Sequence, residues 1–367
     1  PVRFQPLPLG QIQPQGWLRD QLSIQANGIS GHLDEFWPDI RDSQWFGGHA
    51  ESWERAPYWL DGLIPLAYLL DDPNLKAKVS QLGPRTMIAA AGRAASTHYD
   101  LWAQLLMIKV LVQYADATGD DRAVKAVEKN LRMLDRHIDR APLFNWAQFR
   151  WFEGLIALYW LYEKTGEGWL RDLAVKLHAQ GFDWRSFFKQ WPITDPTPKG
   201  RWNYMGHVVN NAMALKAHAL WWRFSGDQTD LAAVYDMIKK LDQHHGMVTG
   251  VFTGDECIAG KRPIHGTELC AVVEHAYSLE TLLSIIADPR FGDRLEKIVF
   301  NALPATFSPD MWAHQYDQQV NQIECSIRGD RIWNTNGPEA NVFGVEPNYG
   351  CCTANLSQGS PKFVSHL

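Results

Sequence analysis

The sequence predicts an all-α fold, an (α/α)6 barrel in which helical hairpins close into a toroid, as a single domain over residues 1–367 that includes an N-terminal arm. Apolar residues recur with the helical period, and short turns rich in Gly and acidic residues separate successive helices. The hairpins recur every ~45–60 residues, a spacing typical of repeat architectures. An open solenoid is the alternative closure. Long irregular links at 182–206 and 246–268 favour the toroid, with these links lining one mouth.

The turns between paired helices combine a residue that ends one helix with a residue that starts the next. They lie at 71–73, 118–120, 165–167, 225–227 and 288–289. Gly119, Gly166 and Gly226 suit the left-handed conformation that ends a helix, and the Asp or Glu that follows suits the start of another. We therefore expect each turn to join the two helices of one hairpin.

The helix before each of three turns carries apolar residues at helical spacing, recurring at intervals such as i, i+4 and i+7. These residues are Leu101, Leu105, Ile108, Val112 and Ala115; Leu155, Leu158, Tyr159 and Tyr162; and Met213, Ala217, Leu220, Trp221 and Phe224. The partner helices are predicted at 131–138, 169–178, 231–241 and 294–303. Each pair therefore has the pattern expected of a packed helical hairpin.

The two ends of the chain differ from this repeat. An extended arm at 6–9 leads into a helix near Trp17, and residues 31–62 mix aromatic and charged side chains in a way that suits a cleft. Residues 304–350 are rich in Pro, Asn and Gln, and they predict loops with a few short strands before a final helix from about Thr353. The chain stops at Leu367 without a capping segment, and we expect it to be part of a longer protein.

Composition narrows the possible functions. The chain is 46% hydrophobic and carries a net charge of −6 without a basic block, which argues against nucleic acid as a partner. No apolar run approaches the length of about 18–20 residues that a membrane helix needs, so no membrane partner is expected. Nucleotide-binding Gly-rich motifs and the Gly-x-Ser-x-Gly elbow of serine hydrolases do not occur. Seventeen Trp are unusual, and exposed Trp rings often serve as stacking platforms for sugars.

Three of the five cysteines concentrate in two short pieces, Glu268-Leu269-Cys270 and Asn348-Tyr349-Gly350-Cys351-Cys352. An odd cysteine count with an adjacent pair disfavours a disulfide framework and favours free or metal-bound thiols. Thiolate and carboxylate together are a plausible zinc set. Glu268 and Cys270 would point to the same side of an extended stretch. Buried structural cysteines are the alternative.

Other candidate groups lie in the predicted links. Asp255 and Glu256, in a Gly-rich stretch, could supply a general acid/base, although a solvated acidic turn is the simpler explanation. His207, at a predicted helix start, and His265 are further candidates, although a lone histidine is more often an ordinary core or surface residue. No His-x-x-x-His or His-Glu-x-x-His pattern supports a histidine metal site.

At the quoted cysteines the chain resembles glycoside hydrolase family 127, the β-L-arabinofuranosidase family. The matching pieces are Gly266-Thr267-Glu268-Leu269-Cys270-Ala271 and Asn348-Tyr349-Gly350-Cys351-Cys352-Thr353-Ala354-Asn355, followed by Gly359, Pro361, Lys362 and Phe363; the opening 6–18, 118–120 and Gly206-His207 match as well. The resemblance implies an (α/α)6 catalytic barrel followed in the family by β-sandwich domains that this chain lacks. It also implies a glycosidase acting on a carbohydrate, with β-L-arabinofuranose as the first sugar to consider.

Residue roles follow from the same resemblance. Glu268, Cys270 and Cys352 correspond to zinc ligands, and Cys351 corresponds to the nucleophile of a retaining mechanism, near or on the metal. Glu256 is the best match to the family's acid/base, with Asp255 as the weaker candidate, although the segment before Glu268 is shorter here. His207 matches a histidine at the sugar pocket.

Three further residues are expected near the sugar: Trp53, His265 and Tyr349. The chain also departs from the family. Characterised arabinofuranosidases carry a histidine-containing motif in the region where this chain has Lys109, and the insert at 182–202 is unlike theirs. These departures put the sugar in doubt while leaving the mechanism in place.

Two other classes of function stay open. One is a metal-free carbohydrate lyase or epimerase on the same barrel, and the other is a non-catalytic sugar-binding module with a structural zinc. A first residue other than Met favours a periplasmic or secreted protein with its signal peptide removed over a cytoplasmic one. The oligomeric state is left open.

Overall fold

The computed structural model describes residues 2–90, 99–198, 200–330, 332–333 and 336–367, without the side chains of 84–90. It is mostly helical, as predicted. The helices are α1 (Gly16–Asn27), α2 (Ile29–Phe36), α3 (Pro38–Arg41), α4 (Arg55–Leu69), α5 (Pro73–Ala90), α6 (Trp102–Thr118), α7 (Asp121–Ile138), α8 (Asn145–Phe149), α9 (Glu153–Thr165), α10 (Trp169–Gln180), α11 (Trp184–Gln190), α12 (Val208–Ala214), α13 (Ala217–Ser225), α14 (Gln228–His245), α15 (Leu269–Ile286), α16 (Pro289–Lys297), α17 (Gly350–Asn355) and α18 (Gly359–Ser365). The strands are β1 (Gly254–Asp255), β2 (Cys257–Ile258), β3 (Thr267–Glu268) and β4 (Asp317–Gln318).

Backbone contacts divide the chain into two compact units. The N-terminal unit comprises residues 7–182 and 364–367, and the C-terminal unit comprises residues 1–6 and 183–363. The single domain over 1–367 therefore stays a prediction. In the N-terminal unit α6 packs against α4, α7 and α9, and in the C-terminal unit α15 packs against α12, α13, α16 and α17. Each unit is thus organised around one largely buried helix.

The predicted turns join helical hairpins. Gly119, Gly166 and Gly226 end α6, α9 and α13 with φ of 67°, a left-handed conformation that glycine adopts without steric cost. After two of these glycines the next residue caps the following helix: Asp120 accepts a hydrogen bond from the Arg122 amide, and Asp227 accepts one from the Thr229 amide. Acidic residues at this position offset the unpaired amides of the first helical turn, which stabilises the start of the helix.

Helix α15 is the apolar centre of the C-terminal unit. It is the one helix among the described residues that is long and apolar enough to cross a membrane, with a mean hydropathy of 1.4, which corrects the expectation that no apolar run approaches this length. Its window is 72% buried inside the fold, as expected of the core helix of a soluble protein. The first turn of this helix carries Cys270, so this largely buried helix leads directly into the cysteine cluster.

The C-terminal third contains the irregular structure that its composition predicts. Between 304 and 349 the described residues form one short 3₁₀ turn and the two-residue strand β4. A small sheet of order β2-β1-β3-β4 gathers the links, with β1 parallel to β3 and β4 antiparallel to β3. The helical segment expected from about Thr353 begins at Gly350 with α17 and continues in α18, so both adjacent cysteines lie in the first turn of α17.

Lys109 lies in the interior of the N-terminal unit. Its Nζ is 3.0 Å from Asp61 Oδ2 and 3.6 Å from Glu153 Oε2, and all three side chains are buried. A buried cation of this kind is held by its charged partners, because an unpaired charge is costly in the interior. Lys109 therefore links α4, α6 and α9.

His245, the last residue of α14, is a buried link between two loops of the C-terminal unit. Its Nδ1 accepts a hydrogen bond from the Gly260 amide at 2.9 Å, and its Nε2 lies 3.1 Å from the Ile193 carbonyl oxygen. An imidazole that accepts at Nδ1 and donates at Nε2 is neutral. Burial lowers the pKa of His245 from 6.5 to about 4.

We expect this histidine to make the fold sensitive to acid. Because the unfolded chain binds the proton near pH 6.5 and the folded chain only near pH 4, the stabilising contribution is full above 6.5 and falls as the pH drops towards 4. The wild type should lose about 2 kcal/mol more than His245→Gln in the free energy of unfolding between pH 7 and pH 5. Urea unfolding at both pH values measures this. Equal losses in the two proteins would contradict the prediction.

Candidate active site

A cluster of three thiols and one carboxylate lies inside the C-terminal unit. One ligand atom from each of Glu268, Cys270, Cys351 and Cys352 lies within 4.8 Å of all the others. Cys352 Sγ is 3.2 Å from Cys270 Sγ and 3.8 Å from Glu268 Oε1. Glu268, Cys270 and Cys352 are buried, whereas Cys351 is partly exposed. The structure thus brings together all four residues expected from the sequence.

Two helix starts and a strand end position this cluster. Glu268 ends β3, and Cys270 lies in the first turn of α15, so the stretch is not extended as expected. Cys351 and Cys352 lie in the first turn of α17, where one step along a helix rotates the side chain by ~100° rather than the ~180° of a strand. Both sulfurs can therefore face Cys270. The Cys270 amide also donates a hydrogen bond to Cys352 Sγ at 3.4 Å.

The electrostatics of the cluster favour one thiolate. Hydrogen bonds from Cys270 and then Cys352 hold the pKa of Cys351 well below its ordinary value. Burial raises the pKa of Cys270 and Cys352, and burial followed by the nearby charges of Glu256 and Cys351 raises the pKa of Glu268. Ionisation of one group in this cluster therefore disfavours ionisation of the others. A bound cation would stabilise the ionised forms of several of them together.

The donor set fits zinc. Thiolate sulfur and carboxylate oxygen are both zinc ligands, and four such donors match the usual coordination number. Glu268 Oε2 is fully buried and accepts no hydrogen bond of normal geometry from the described residues. A buried carboxylate oxygen without a donor is costly unless something positive meets it. The residues present would therefore suit a divalent cation.

Glu256 lies at the tip of the β1–β2 hairpin. Its φ of 79° is in the left-handed region, which a glutamate rarely adopts. The hairpin is held by the Val208 amide, which donates to the Glu256 carbonyl oxygen at 2.9 Å. Gly254 packs closely against Val208, the first residue of α12. A Cβ at position 254 would lie 2.3 Å from the Val208 side chain. Strained backbone of this kind is concentrated at functional sites.

The Glu256 carboxylate lies among the side chains of Tyr316, His207 and Glu268, and the Asn336 side chain also forms a hydrogen bond with it. The Tyr316 hydroxyl donates a short hydrogen bond to Glu256 Oε2, and His207 Nε2 lies 3.7 Å from Oε1. His207, Glu256 and Glu268 also form a group of ligand atoms within 4.8 Å of one another. Burial raises the pKa of Glu256, but His207 and then Tyr316 stabilise the carboxylate, and the pKa lies below its ordinary value.

Asp255 is engaged elsewhere. Its Oδ2 lies 2.8 Å from His265 Nδ1, and its Oδ1 accepts a hydrogen bond from the Gly266 amide at 2.6 Å. Both carboxylate oxygens are thereby used to tie the β1–β2 hairpin to the turn before β3. His265, expected near the sugar, is held by this same interaction. Of the two neighbouring carboxylates, Glu256 is the one grouped with Glu268.

The remaining predicted residues lie in different places. Tyr349 is 52% exposed just before α17, and its ring centroid is 5.6 Å from that of Tyr316. Trp53 belongs to the N-terminal unit, where its carbonyl oxygen accepts a hydrogen bond from Trp45 Nε1 at 2.8 Å and its ring packs edge-on against Tyr99. The structure therefore groups Tyr349, but not Trp53, with the residues of the C-terminal unit.

Sequence analysis missed Tyr316. This residue lies in a polar loop without periodicity, and it reaches the site because the pairing of Glu268 with Asp317 brings β4 beside β3. Cys257, next to Glu256, is a different kind of thiol: burial raises its pKa to about 11, so it stays protonated. Neither the approach of Tyr316 to Glu256 nor the raised pKa of Cys257 has a signature in the linear sequence.

Comparison with solved structures assigns the fold. A GH127 β-arabinofuranosidase is 15% identical with a TM-score of 0.67, covering 100% of this chain and 62% of that one. A GH127 β-L-arabinofuranosidase from Geobacillus stearothermophilus T6 is 15% identical with a TM-score of 0.71, covering 96% and 64%. An unsaturated glucuronyl hydrolase from Streptococcus agalactiae, with bound dGlcA-GalNAc6S, is 12% identical with a TM-score of 0.61, covering 95% and 91%. The α/α-barrel fold predicted from the sequence is confirmed.

The chain spans less than two-thirds of the length of the two arabinofuranosidases. A sequence comparison with curated proteins found no match. Residues 59–365, most of the chain, match the family described as Beta-L-arabinofuranosidase, GH127 catalytic domain. That range contains the whole thiol cluster, Glu256, His207 and Tyr316. The chain therefore belongs to glycoside hydrolase family 127.

Proposed function

We propose that the protein is a retaining glycoside hydrolase that removes a terminal sugar from a glycan, with β-L-arabinofuranose as the first sugar to test. Cys351 is the nucleophile, and Glu256 is the general acid/base. Glu268, Cys270 and Cys352 are the ligands that would hold zinc. Family membership, the thiol cluster and the position of Glu256 beside Glu268 support this proposal.

The observation that carries the proposal is the shared position of Glu268. Its carboxylate belongs both to the thiol group with Cys351 and to the group with His207 and Glu256. A nucleophile and an acid/base must lie on either side of one glycosidic bond, a few ångströms apart, for a retaining reaction. Ligand atoms of Cys351 and of Glu256 each lie within 4.8 Å of one of Glu268, and this proximity supports the assignment.

The reaction proceeds in two displacements. In the first, the Cys351 thiolate attacks the anomeric carbon, the carbon–oxygen bond to the leaving group breaks, and Glu256 donates its proton to the departing oxygen. In the second, Glu256 takes a proton from water, the water oxygen attacks the anomeric carbon, and the carbon–sulfur bond breaks to regenerate the thiolate. The sugar leaves with its original configuration. Bound zinc would supply the positive charge that keeps these thiols deprotonated at neutral pH.

The surrounding residues serve this cycle. Glu256 enters the first step protonated and ends it as a carboxylate; His207 and Tyr316, which hold its pKa below the ordinary value, stabilise that carboxylate, the form that acts as a base in the second step. Cys351 is partly exposed as a residue, whereas Cys270 and Cys352 are buried. This difference supports Cys351 as the nucleophile, with Cys270 and Cys352 as ligands.

The zinc content of reduced, purified protein tests the metal part of the proposal. We expect about one zinc per chain, since the cluster offers one set of four donors. Elemental analysis of Cys270→Ser and Cys352→Ser should show most of this metal lost, because each variant removes a buried donor. Cys325→Ser is the matched control, because Cys325 is exposed and its Sγ lies near the Asn341 carbonyl oxygen. A wild-type sample that is folded, reduced and metal-free would contradict the proposal.

A further inference from the structure

We propose that Asn336 is a site of spontaneous deamidation, in which the Gly337 amide closes an imide ring on the Asn336 side chain, and that this modification inactivates the enzyme. The loss of activity rests on the proposed function, with Glu256 as the acid/base, whereas the modification itself depends only on the local geometry. Three observations carry the inference: the position of the Gly337 amide, the contrast with Asn27, and the contact between Asn336 and Glu256.

The chain contains two Asn-Gly pairs, Asn27-Gly28 and Asn336-Gly337. Glycine after asparagine favours ring closure, because no side chain hinders the approach of the next amide nitrogen to the asparagine Cγ. The fold restrains the first pair. The Gly28 amide ends α1 and donates to the carbonyl oxygens of Ile24 and Gln25 at 2.9 and 3.2 Å. Helix hydrogen bonds therefore occupy the nitrogen that would have to attack Asn27.

The Gly337 amide interacts with the preceding side chain instead. It donates a hydrogen bond to Asn336 Oδ1 at 2.8 Å. The amide nitrogen and the Asn336 carboxamide are thus folded onto each other, and the atoms that link them are those of an imide ring. Both residues are half-buried, which leaves the pair open to water. Held in this way, the reacting groups need no further encounter, and such proximity accelerates a reaction strongly.

Packing explains why position 337 is a glycine. A Cβ there would overlap Asn348 Oδ1. Asn348 in turn donates a hydrogen bond from Nδ2 to Asn336 Oδ1 at 3.0 Å, and its backbone has a left-handed φ of 67°. The fold therefore requires a residue without a side chain at 337, and the same property leaves the amide nitrogen unhindered for ring closure.

The reaction requires only water and hydroxide. The Gly337 amide loses its proton to hydroxide, its nitrogen forms a bond to Asn336 Cγ, and the Cγ–Nδ2 bond breaks as ammonia leaves with a proton from water. Water then opens the imide at either carbonyl carbon. Cleavage of the new bond to Cγ leaves aspartate. Cleavage of the original peptide bond leaves isoaspartate, in which the backbone is longer by a methylene group.

Either product changes the surroundings of the acid/base. The Asn336 side chain forms a hydrogen bond with the Glu256 carboxylate. Its replacement by a carboxylate removes the amide donor and places a second negative charge beside Glu256, and like charges in one site repel each other. Isoaspartate also lengthens the backbone before Ala340, whose carbonyl oxygen accepts hydrogen bonds from the amides of Tyr316 and Asp317 at 3.0 and 2.7 Å. We therefore expect Glu256 to leave its productive position.

Incubation of the purified, reduced enzyme at mildly alkaline pH tests the proposal, because hydroxide promotes the ring closure. Peptide mass spectrometry over time detects the exchange of an amide for an acid, and an isoaspartate assay detects the lengthened backbone. Asn336 should convert at least about tenfold faster than Asn27, which is the matched control within the same chain. Activity on the best wild-type substrate should fall in step with the converted fraction.

Three variants connect the modification with the loss of activity. Asn336→Asp reproduces one product directly, and its kcat should be at least about tenfold below that of the wild type, because the acid/base is misplaced. Asn27→Asp, the same change at the other pair, should leave kcat unchanged. Asn336→Gln has a side chain that closes such rings poorly, so it should keep its starting activity throughout the incubation.

The outcomes separate the modification from its effect. Preferential conversion of Asn336 with a matching loss of activity supports the proposal. Absence of conversion at Asn336, equal conversion of both asparagines, or conversion without loss of activity overturns it. A wild type that hydrolyses no glycoside before incubation contradicts the proposed function and with it the predicted inactivation, whereas the mass measurement still decides whether Asn336 is the modified residue.

Discussion

Replacing Cys351 with serine is expected to lower turnover at least about 10³-fold, because the reaction loses the group that forms the covalent bond to the sugar. A serine hydroxyl at this position has no lowered pKa and stays protonated at neutral pH. Hydrolysis of the best wild-type substrate, with the fold checked by circular dichroism, measures the effect. A variant that retains more than about a tenth of wild-type kcat would contradict the nucleophile assignment.

Two further measurements make this test specific. Cys325→Ser changes an exposed cysteine of the same unit and should leave turnover unchanged. Brief reaction of the wild type with a fast-reacting aryl glycoside, followed by acid quenching and digestion, should yield a peptide containing Cys351 that carries the mass of one sugar residue. A label on Cys257 or Cys325 instead would show that the wrong thiol was identified.

Replacing Glu256 with glutamine is expected to affect substrates according to their leaving groups. A sugar alcohol leaves poorly without a proton, so kcat/KM for a natural-type glycoside should fall about 10²–10⁴-fold. An aryl glycoside with an acidic phenol needs no proton, so its first step should slow less than about tenfold. Measuring kcat/KM over a series of aryl leaving groups tests this. A uniform loss across the series would argue against the acid role.

The base role of Glu256 has its own test. With an activated aryl glycoside, the second step limits the variant because no carboxylate accepts a proton from water. Added azide, which needs no base, should restore turnover and yield a glycosyl azide of retained configuration. Asp255→Asn is the informative control. It perturbs the bonds to His265 and Gly266, so it should slow all substrates alike and should not respond to azide.

The hairpins were predictable because their causes are local. A glycine that ends one helix and an aspartate that starts the next act within a few residues, and Gly119 with Asp120 and Gly226 with Asp227 behave as their chemistry requires. Glu167 follows the same sequence pattern without capping the next helix; it accepts hydrogen bonds from Arg132 and Trp169 instead. Local preference sets the turn, and neighbouring side chains then decide how each acidic group is used.

The candidate site was predictable only in its residue types. Glu268, Cys270, Cys351 and Cys352 were expected together, but an extended strand was expected where a strand meets a helix, and the role of Tyr316 was not foreseen. The structure also separates the two acid/base candidates. Both carboxylate oxygens of Asp255 interact with His265 and Gly266, so Glu256 is the better candidate. Such distinctions depend on contacts between segments, which no short stretch of sequence encodes.

The sequence by itself determined the helical class, the hairpin turns, the family and the set of thiols and carboxylates able to carry chemistry. Only the tertiary structure decided how those groups meet. Cys270 and Cys352 are 82 residues apart, and their sulfurs come within 3.2 Å because α15 and α17 begin side by side. The same packing leaves Cys351 partly exposed and buries Cys352, its neighbour in the chain. Accessibility, pKa and metal-binding geometry arise from that three-dimensional arrangement, because burial and the distance between charges are properties of the folded chain.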